Sequence, residues 1–223
     1  MRQIERKKGI RATVKPIKFK FNERKAVQAA ARLIQHSGGE MNYLALMKLL
    51  YLVDREALLR FGRPITGDRV VAMKHGPVLS RVYDLVSQKK QENSESEWHK
   101  FIPRPNAYVF TVRFSGVPDA GELSEAELAL IDEIYAKFRG WNEWDLVAHT
   151  HQLPEWRDPK GTSVPIPFED ILRGADVSRK DIETVAENAA ADLYMDSVLA
   201  KVHTTKPEIV GPRARRAGVA VGR

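Results

Sequence analysis

The sequence predicts a mainly α protein: a single compact helical domain with a small β-hairpin at about residues 98–114 and flexible basic tails. Three observations support this fold class. Apolar residues recur at intervals of three and four behind side chains that cap helices. Tyr108, Phe110 and Val112 alternate with their neighbours as on one strand of a hairpin. Both chain ends combine charge with no apolar period, which is typical of tails. The expected divisions are a basic tail over 1–20, the helical domain over 21–204 and a second basic tail over 205–223.

Two helices are expected at the start of the ordered region. Asn22 has the side chain of an N-cap, and apolar residues continue behind it at helical spacing until Gly38. Asn42 caps the second helix, which Gly62 ends. Apolar side chains occur on nearly every face of residues 43–61. A helix that is apolar all round lies within a core, so we expect this one at the centre of the domain.

A turn separates this central helix from the third helix. Residues 63–68 have the composition of a turn, and residues 70–73 fit either a short strand or a helical turn. Gly76 permits a positive φ, and Pro77 suits the first position of a helix because its missing N–H is not needed there. We therefore expect the third helix to begin at Pro77.

The β-hairpin comes next, and helices follow it. Its predicted strands are residues 98–102 and 107–114, separated by Pro-Arg-Pro-Asn. Three later helices begin at a capping side chain, a brief helix is expected at about 168–172, and prolines make residues 154–167 irregular. The three capped helices run from Ser124 to Gly140, from Asn142 to a point before Pro154, and from Ser178 to about Val202.

Composition excludes several classes of site. The chain has no cysteine, which rules out disulfides, thiolate zinc sites and cysteine nucleophiles. No stretch approaches the roughly 18 apolar residues of a membrane-spanning helix, and the first 30 residues lack the apolar core of a signal peptide. We therefore expect a cytoplasmic protein without a membrane partner.

The positive charge of the chain is concentrated at its ends. Residues 1–20 hold eight Lys or Arg and one acid, and residues 205–223 hold five and one. The remaining 23 basic and 27 acidic residues give the body a net charge of −4, although the whole chain carries +7. This distribution argues against a basic groove built into the fold. The tails could still contact nucleic acid in a salt-sensitive way, so a DNA-binding regulator is one alternative function.

Five short motifs follow one another in the order seen in a known family. They are Lys48-Leu49-Leu50-Tyr51-Leu52, Gly67-Asp68, Lys74-His75-Gly76-Pro77-Val78, Leu123-Ser124 and Thr150-His151-Gln152-Leu153-Pro154-Glu155-Trp156. In these motifs the chain resembles the Panacea domain, a family that includes SocA-like antitoxins and phage-associated GepA-like proteins. The resemblance covers about residues 25–160, while the tails and the helix after Ser178 depart from a minimal member.

The resemblance implies an antitoxin of a bacterial or prophage toxin–antitoxin system, with a role in phage defence. It implies that the chain neutralises a cognate toxin, encoded beside it, by direct protein–protein binding, without a cofactor, a metal or an enzymatic activity of its own. The toxins paired with this family are unrelated to one another and include alarmone-synthetase-like enzymes. SocA resembles an adaptor that delivers its toxin to the ClpXP protease, so proteolytic delivery is a second alternative and ClpXP an alternative partner.

Eight residues are candidates for the toxin-binding surface. They are Lys48, Tyr51, Arg55, Arg63, Arg69, Lys74, His75 and Trp156. The first three lie near one face of the central helix, since they are spaced by three and four residues. A charge within so apolar a helix must reach the surface or find a partner. Two interpretations follow: a polar patch for the toxin, or an internal ion pair with an acid of the last helix.

The histidines and Trp156 also allow a structural and a functional interpretation. His75 can fix its turn by hydrogen bonds or contact a partner, and Trp156 can be a buried anchor, which we favour, or an exposed hot spot. His149 and His151 do not indicate a metal site, because residues two apart point about 200° away from each other on a helix. We expect His151 to tie the end of its helix to the Trp156 loop. No nucleotide-binding loop, zinc-protease helix or nucleophile elbow is present, so catalysis is not supported.

Overall fold

The computed structural model describes residues 16–87, 96–102, 111–113 and 121–204. It confirms a mainly α fold with a small antiparallel sheet. The helices in these residues are α1 (Glu23–His36), α2 (Tyr43–Phe61), α3 (Ser80–Ser87), α4 (Glu97–Phe101), α5 (Glu125–Phe138), α6 (Glu143–His151), α7 (Phe168–Gly174) and α8 (Arg179–Thr204). The strands are β1 (Glu40–Asn42), β2 (Val70–Met73), β3 (Gly76–Leu79), β4 (Thr111–Arg113) and β5 (Val164–Ile166).

The central helix α2 is defined by its two ends. The Asn42 side chain accepts hydrogen bonds from the N–H groups of Leu44 and Ala45, at 2.8 and 3.3 Å. Gly62 ends the helix in the left-handed conformation, with a φ of 69°, which strains a residue that has a Cβ. Helices α1, α5 and α6 pack around α2, and most of its side chains are buried. The prediction of a helix through the core is confirmed.

Capping side chains start other predicted helices as well. Asn22 accepts the Lys25 N–H at 3.0 Å, and Ser124 forms a capping box with Glu127 at the start of α5. Asn142 opens α6 in the same way. Glu127 also accepts a hydrogen bond from Lys25 Nζ of α1 at 2.7 Å. The cap of α5 therefore also holds α5 against α1.

A three-stranded antiparallel sheet has the order β3-β2-β5. Strands β2 and β3 form a tight hairpin with Lys74 and His75 as its two turn residues, since Met73 pairs with Gly76. Strand β5 pairs with the other edge of β2. The sequence predicted residues 154–167 to be irregular, and β5 corrects that prediction. Only Ile166 of β5 is buried, so this strand lacks the apolar alternation that would have marked it.

The third helix begins later than the sequence predicted. Pro77 belongs to β3, and α3 begins at Ser80. A cap supplied from a distant residue explains the difference, because the Asp68 carboxylate accepts the N–H groups of Arg81 and Val82 at 2.8 and 2.9 Å. Strand β3 can hold a proline because it is an edge strand and uses fewer ladder hydrogen bonds.

The β-hairpin predicted at about 98–114 is wrong in its pairing. Its first strand is the helix α4, in which Trp98 is buried. Glu23 of α1 explains this helix, because its carboxylate accepts the Ser96 hydroxyl at 2.5 Å and the Trp98 N–H at 3.0 Å. Residues 111–113 do form a strand, but this strand, β4, pairs with β1. Residues 103–110 and 114 lie outside the described part of the chain.

Residues 16–20, which were expected to belong to the N-terminal tail, lie against the core. The Ile17 N–H donates to a carboxylate oxygen of Glu169 at 2.7 Å, and the Phe19 ring meets the Phe168 ring edge-on at 5.1 Å between centroids. The expected boundary at residue 20 is therefore too late. Residues 1–15 and 205–223, the rest of the two predicted tails, lie outside the described residues.

The last helix, α8, leaves the core partway along its length. Ile182, Ala186 and Ala189 are buried, whereas no residue from 190 to 201 is. At 26 residues α8 is about 39 Å long. Neither α8 nor any other helix in the described residues is both long and apolar enough to cross a membrane.

Candidate functional site

Two of the predicted site residues, Tyr51 and Arg55, converge on Glu155 inside the fold. The Tyr51 hydroxyl donates to Glu155 Oε1 at 2.5 Å, and Arg55 Nε donates to the same oxygen at 2.7 Å. The Glu155 side chain is fully buried, and that of Arg55 is 14% exposed. Burial raises the pKa of Tyr51 well above its usual range, and the neighbouring Glu155 carboxylate adds to this effect. A shared carboxylate thus joins α2 to the loop after α6.

Lys48 lies one turn before Tyr51 and is fully buried. Its Nζ donates to the Pro77 carbonyl at 2.8 Å. Burial lowers the pKa of Lys48 to about 7, because desolvation disfavours the charged form. Gly76 leaves room for this contact, since a Cβ there would lie 3.0 Å from Lys48 Nζ and 2.8 Å from Thr150 Oγ1. Lys48 therefore bridges α2 and β3 at a point where a larger residue than glycine would collide with α6.

His151 and Trp156 stack beside this point. Their ring centroids are 3.9 Å apart with 10° between the planes, and the Trp156 indole N–H donates to the Met73 carbonyl at 3.4 Å. Within the described residues, His151 Nε2 is buried without a hydrogen-bond partner. Burial lowers the pKa of His151, and the positive charge of Lys48 lowers it further. The stack ties the end of α6 to the half-buried Trp156, as expected.

The Gly67-Asp68 motif holds the turn after α2. Asp54 of α2 accepts the Thr66 N–H at 2.9 Å and also the Thr66 hydroxyl. Burial raises the pKa of Asp54 to about 7. Gly67 has a φ of 68°, and a Cβ there would lie 2.2 Å from the Lys20 carbonyl oxygen. Buried carboxylates and a close backbone approach therefore fix this turn.

The other predicted residues lie at the surface in different places. Lys74 and His75 form the exposed turn between β2 and β3, and the His75 ring meets the Trp144 ring of α6 edge-on at 5.6 Å between centroids. Arg63 lines a cavity of about 350 Å³ between α8 and the N-terminal segment. Arg69 is exposed just before β2. The eight predicted residues therefore do not form one continuous surface.

Arg55 forms the expected internal ion pair, but its partner differs from the expected one. Lys48 and Tyr51 have no exposed surface. The acid that pairs with Arg55 is Glu155 in the loop after α6, and the expectation of an acid from the last helix is corrected. The loop after α6 returns to α2, whereas α8 packs on α7, so no acid of α8 is needed at this point.

Two exposed tryptophans were not among the predicted site residues. Trp141 is 44% exposed and Trp144 is 58% exposed. Trp141 packs against Phe138 with ring centroids 5.1 Å apart. A helical projection contains the signal for Trp144, since it lies about 200° around α6 from Leu146, which is buried.

Comparison with known proteins assigns the family. Among the described residues, no group of three or more His, Asp or Glu side chains is placed to hold a metal ion. The family described as "Antitoxin SocA-like, Panacea domain" matches residues 46–157, about half of the chain. All five sequence motifs fall within this segment. No curated protein and no solved structure matches the chain. The chain belongs to the family of SocA-like antitoxins with a Panacea domain.

Proposed function

We propose that this chain neutralises its toxin by binding it directly and covering the toxin's active site. Membership of the SocA-like family supports an antitoxin role and implies a toxin as partner. Direct binding is supported by the structural role of the polar residues in the family's motifs. Lys48, Tyr51 and Glu155 are buried in contacts that join α2 to β3 and to the loop after α6, and Asp68 caps α3. Because these groups hold the fold together, the surface is the part of the molecule left to act on a toxin.

We expect one contact surface at the turn between β2 and β3. This hairpin face consists of Lys74, His75 and Trp144. All three side chains are exposed, and the His75 and Trp144 rings support each other. An exposed Trp offers a large contact area at a small cost in side-chain entropy, which makes it a frequent hot spot. Trp156 holds the hairpin from behind through the Met73 carbonyl, and Arg63 and Arg69 stay predicted contacts outside the hairpin face.

The mechanism is steric, so neutralisation depends on affinity and shape complementarity. A stable protein–protein interface buries roughly 800 Å² on each partner, which is enough to cover the mouth of an active site. The hairpin projects from the sheet on a two-residue turn, and β2 is held on both sides, by β3 and β5. This rigid support lowers the entropic cost of ordering the hairpin face on binding. The mechanism requires no cofactor.

Co-expression with the adjacent gene tests the proposal. The product of that gene should stop growth when expressed alone, and this protein should restore growth and co-purify with it. Trp144→Ala should weaken the complex by at least about tenfold, as expected for a hot spot. Val164→Ala is the matched control, because Val164 is also an exposed apolar residue but lies on β5. A neighbouring product that is harmless alone, or that stays toxic in the presence of this protein, would refute the proposal.

The two alternative functions give different results in the same system. A proteolytic adaptor would lower the amount of toxin only in cells that contain ClpXP, whereas a steric antitoxin leaves the toxin intact in the complex. A DNA-binding regulator would lose operator binding when its tails are deleted and would still neutralise the toxin. The deletions should cover residues 1–15 and 205–223, because Ile17 and Phe19 belong to the core.

A further inference from the structure

The second half of α8 carries apolar side chains on the face turned away from the core. Tyr194, Met195 and Leu199 are 68%, 55% and 52% exposed. With Val198 they recur at intervals of one, three and four residues, which places them on one side of a helix. Tyr194 lies about 140° around the helix from Ala189, which is buried. We call Tyr194, Met195, Val198 and Leu199 the α8 stripe.

A cavity of about 350 Å³ adjoins the α8 stripe. Met195 belongs to both, since it is exposed and also lines the cavity, together with Arg63 and Phe19. Lys20 at the cavity forms an ion pair with Asp196 at 3.2 Å. Arg63 is exposed and has no acidic partner within the part of the chain that the structure describes. The cavity is lined by apolar side chains and by charges of both signs, Arg63 and Asp192 among them, and the Arg63 guanidinium can receive a carboxylate.

The most basic parts of the chain join the fold at this surface. Residues 1–15 hold six basic residues and one acid, and residues 205–223 hold five and one. The first segment leads directly into Phe19 and Lys20 at the cavity, and the second begins directly after α8. The rest of the chain has a net charge of −2. Both basic segments of the sequence are therefore connected to described residues close to the cavity and the α8 stripe.

We infer that the α8 stripe and the adjoining cavity bind an acidic amphipathic segment of the toxin. Apolar residues of that segment would cover Met195 and Leu199, and a carboxylate would pair with Arg63. The inference rests on the proposed function, and it adds a second contact surface to the hairpin face. Helix α8 lies outside residues 46–157, so this surface can differ between members that share the same scaffold.

Two other occupants fit the α8 stripe less well. The stripe extends over six residues, about 9 Å of helix, which is too short for a second copy to bury the roughly 800 Å² per partner of a stable dimer. Nucleic acid would attract the basic segments but would gain little from covering Met195 and Leu199.

The test measures binding of the full-length protein to the purified product of the adjacent gene. Replacing Met195 and Leu199 together by Asp should weaken binding by at least about 30-fold, since both the apolar contact and the charge complementarity are lost. Arg63→Glu should weaken it about tenfold and reduce its dependence on salt. Ser197→Asp is the control for charge, because Ser197 is exposed on the same helix outside the α8 stripe and the change adds one of the two negative charges that the double variant adds. Each variant should keep the wild-type melting temperature, since no core side chain is altered.

Each result of this experiment decides between the two proposals. If the wild-type protein binds and the Met195/Leu199 variant binds equally well, the α8 inference is overturned while direct binding stands. If the Ser197 variant loses as much affinity as the double variant, general charge repulsion explains the effect and the inference is again overturned. If the wild-type protein binds duplex DNA and the double variant loses this binding to the same extent, nucleic acid and not the toxin is the occupant, and the inference is overturned. If the wild-type protein does not bind the product at all, the proposed function fails and the inference fails with it.

Discussion

Replacing Lys48 by Met should stabilise the fold at neutral pH. Lys48 is fully buried, and its Nζ donates to the Pro77 carbonyl at 2.8 Å. Methionine has a similar length, is unbranched and fills the same space without an amine that must be desolvated. The substitution therefore removes the cost of keeping an amine away from water, and it also removes one hydrogen bond. The balance between these two effects sets the sign of the change.

The size of the effect follows from the pKa of Lys48. The difference between an ordinary value of 10.5 and about 7 in the fold corresponds to roughly 5 kcal/mol of unfolding free energy. Leaving the Pro77 carbonyl without its donor costs about 1–3 kcal/mol. Lys48→Met should therefore gain roughly 2–4 kcal/mol at pH 7.

The gain should depend on pH in one direction. Between pH 7 and pH 10.5 the unfolded chain holds a proton on Lys48 that the folded chain lacks, so the stability of the wild-type protein rises with pH. The advantage of the variant should shrink over this window and stay constant below it. Above it, only the lost hydrogen bond remains, and the wild-type protein should be the more stable of the two.

Urea unfolding of both proteins in steps from about pH 7.5 to about pH 10 measures this difference. Subtracting the two curves cancels the titration of groups that the substitution leaves alone. The lower limit avoids His151, because the positive charge of Lys48 contributes to lowering its pKa. A difference in unfolding free energy that stays the same across the window would refute the assignment of Lys48 as a buried, neutral amine. So would a variant that is the less stable protein at pH 7.5.

Three further substitutions test other parts of the interior. Asp54→Asn should show the opposite pH dependence, because burial raises the pKa of Asp54 from 3.8 to about 7. As pH rises from 3.8 to about 7, the wild-type protein should lose unfolding free energy relative to the variant. Unfolding free energies from urea that keep a constant difference over this window would contradict the prediction. Gly67→Ala should lower the melting temperature more than Gly38→Ala. Both glycines have a positive φ, but only at Gly67 would a Cβ collide with a backbone carbonyl. Equal decreases in melting temperature would argue against the close approach of the backbone at Gly67. Glu155→Gln should lower the unfolding free energy by about 3–5 kcal/mol, because it leaves a mostly buried guanidinium without its carboxylate. Glu133→Gln, at an exposed ion pair, should leave chemical unfolding almost unchanged, and comparable losses for the two would contradict the role given to burial.

The helices were predictable where their signals are local. Asn42 and Gly62 lie next to the ends of the helix that they define, and Ser124 and Asn142 lie next to the helices that they cap. A cap acts through backbone groups two or three residues away, so the sequence contains the whole interaction. The uniformly apolar run over 43–61 predicted the position of α2 in the core for the same reason.

The errors arise where a distant residue decides the local structure. Glu23 caps α4 across 75 residues of sequence, which turns a stretch with strand-like composition into a helix. Asp68 caps α3 from across the β2–β3 hairpin and moves its start beyond Pro77. Strand β5 exists because β2 offers it an edge. Such pairings depend on three-dimensional proximity, which neither composition nor periodicity records.

The fold brings together only some of the eight predicted site residues. Helical spacing correctly placed Lys48, Tyr51 and Arg55 near one face of α2. Spacing could not show that this face points inward, toward a carboxylate about a hundred residues away at Glu155. The exposure of Trp144 was missed for another reason: an aromatic residue in a short helix is more often part of the core, although a helical projection places Trp144 opposite the buried Leu146.

The hydrogen bond between the Ile17 N–H and Glu169 has an evolutionary consequence. It fastens to α7 the same short segment that supplies Phe19 and Lys20 to the cavity. A mutation in this segment that suits a new toxin would also loosen the attachment, so selection for folding would remove many such changes. Met195 and Leu199 are more than half exposed on the part of α8 that has left the core, so substitutions there do not disturb the hydrogen bond between Ile17 and Glu169. We therefore expect lineages that exchange toxins to diverge first along the outer side of α8 and to change residues 16–20 later.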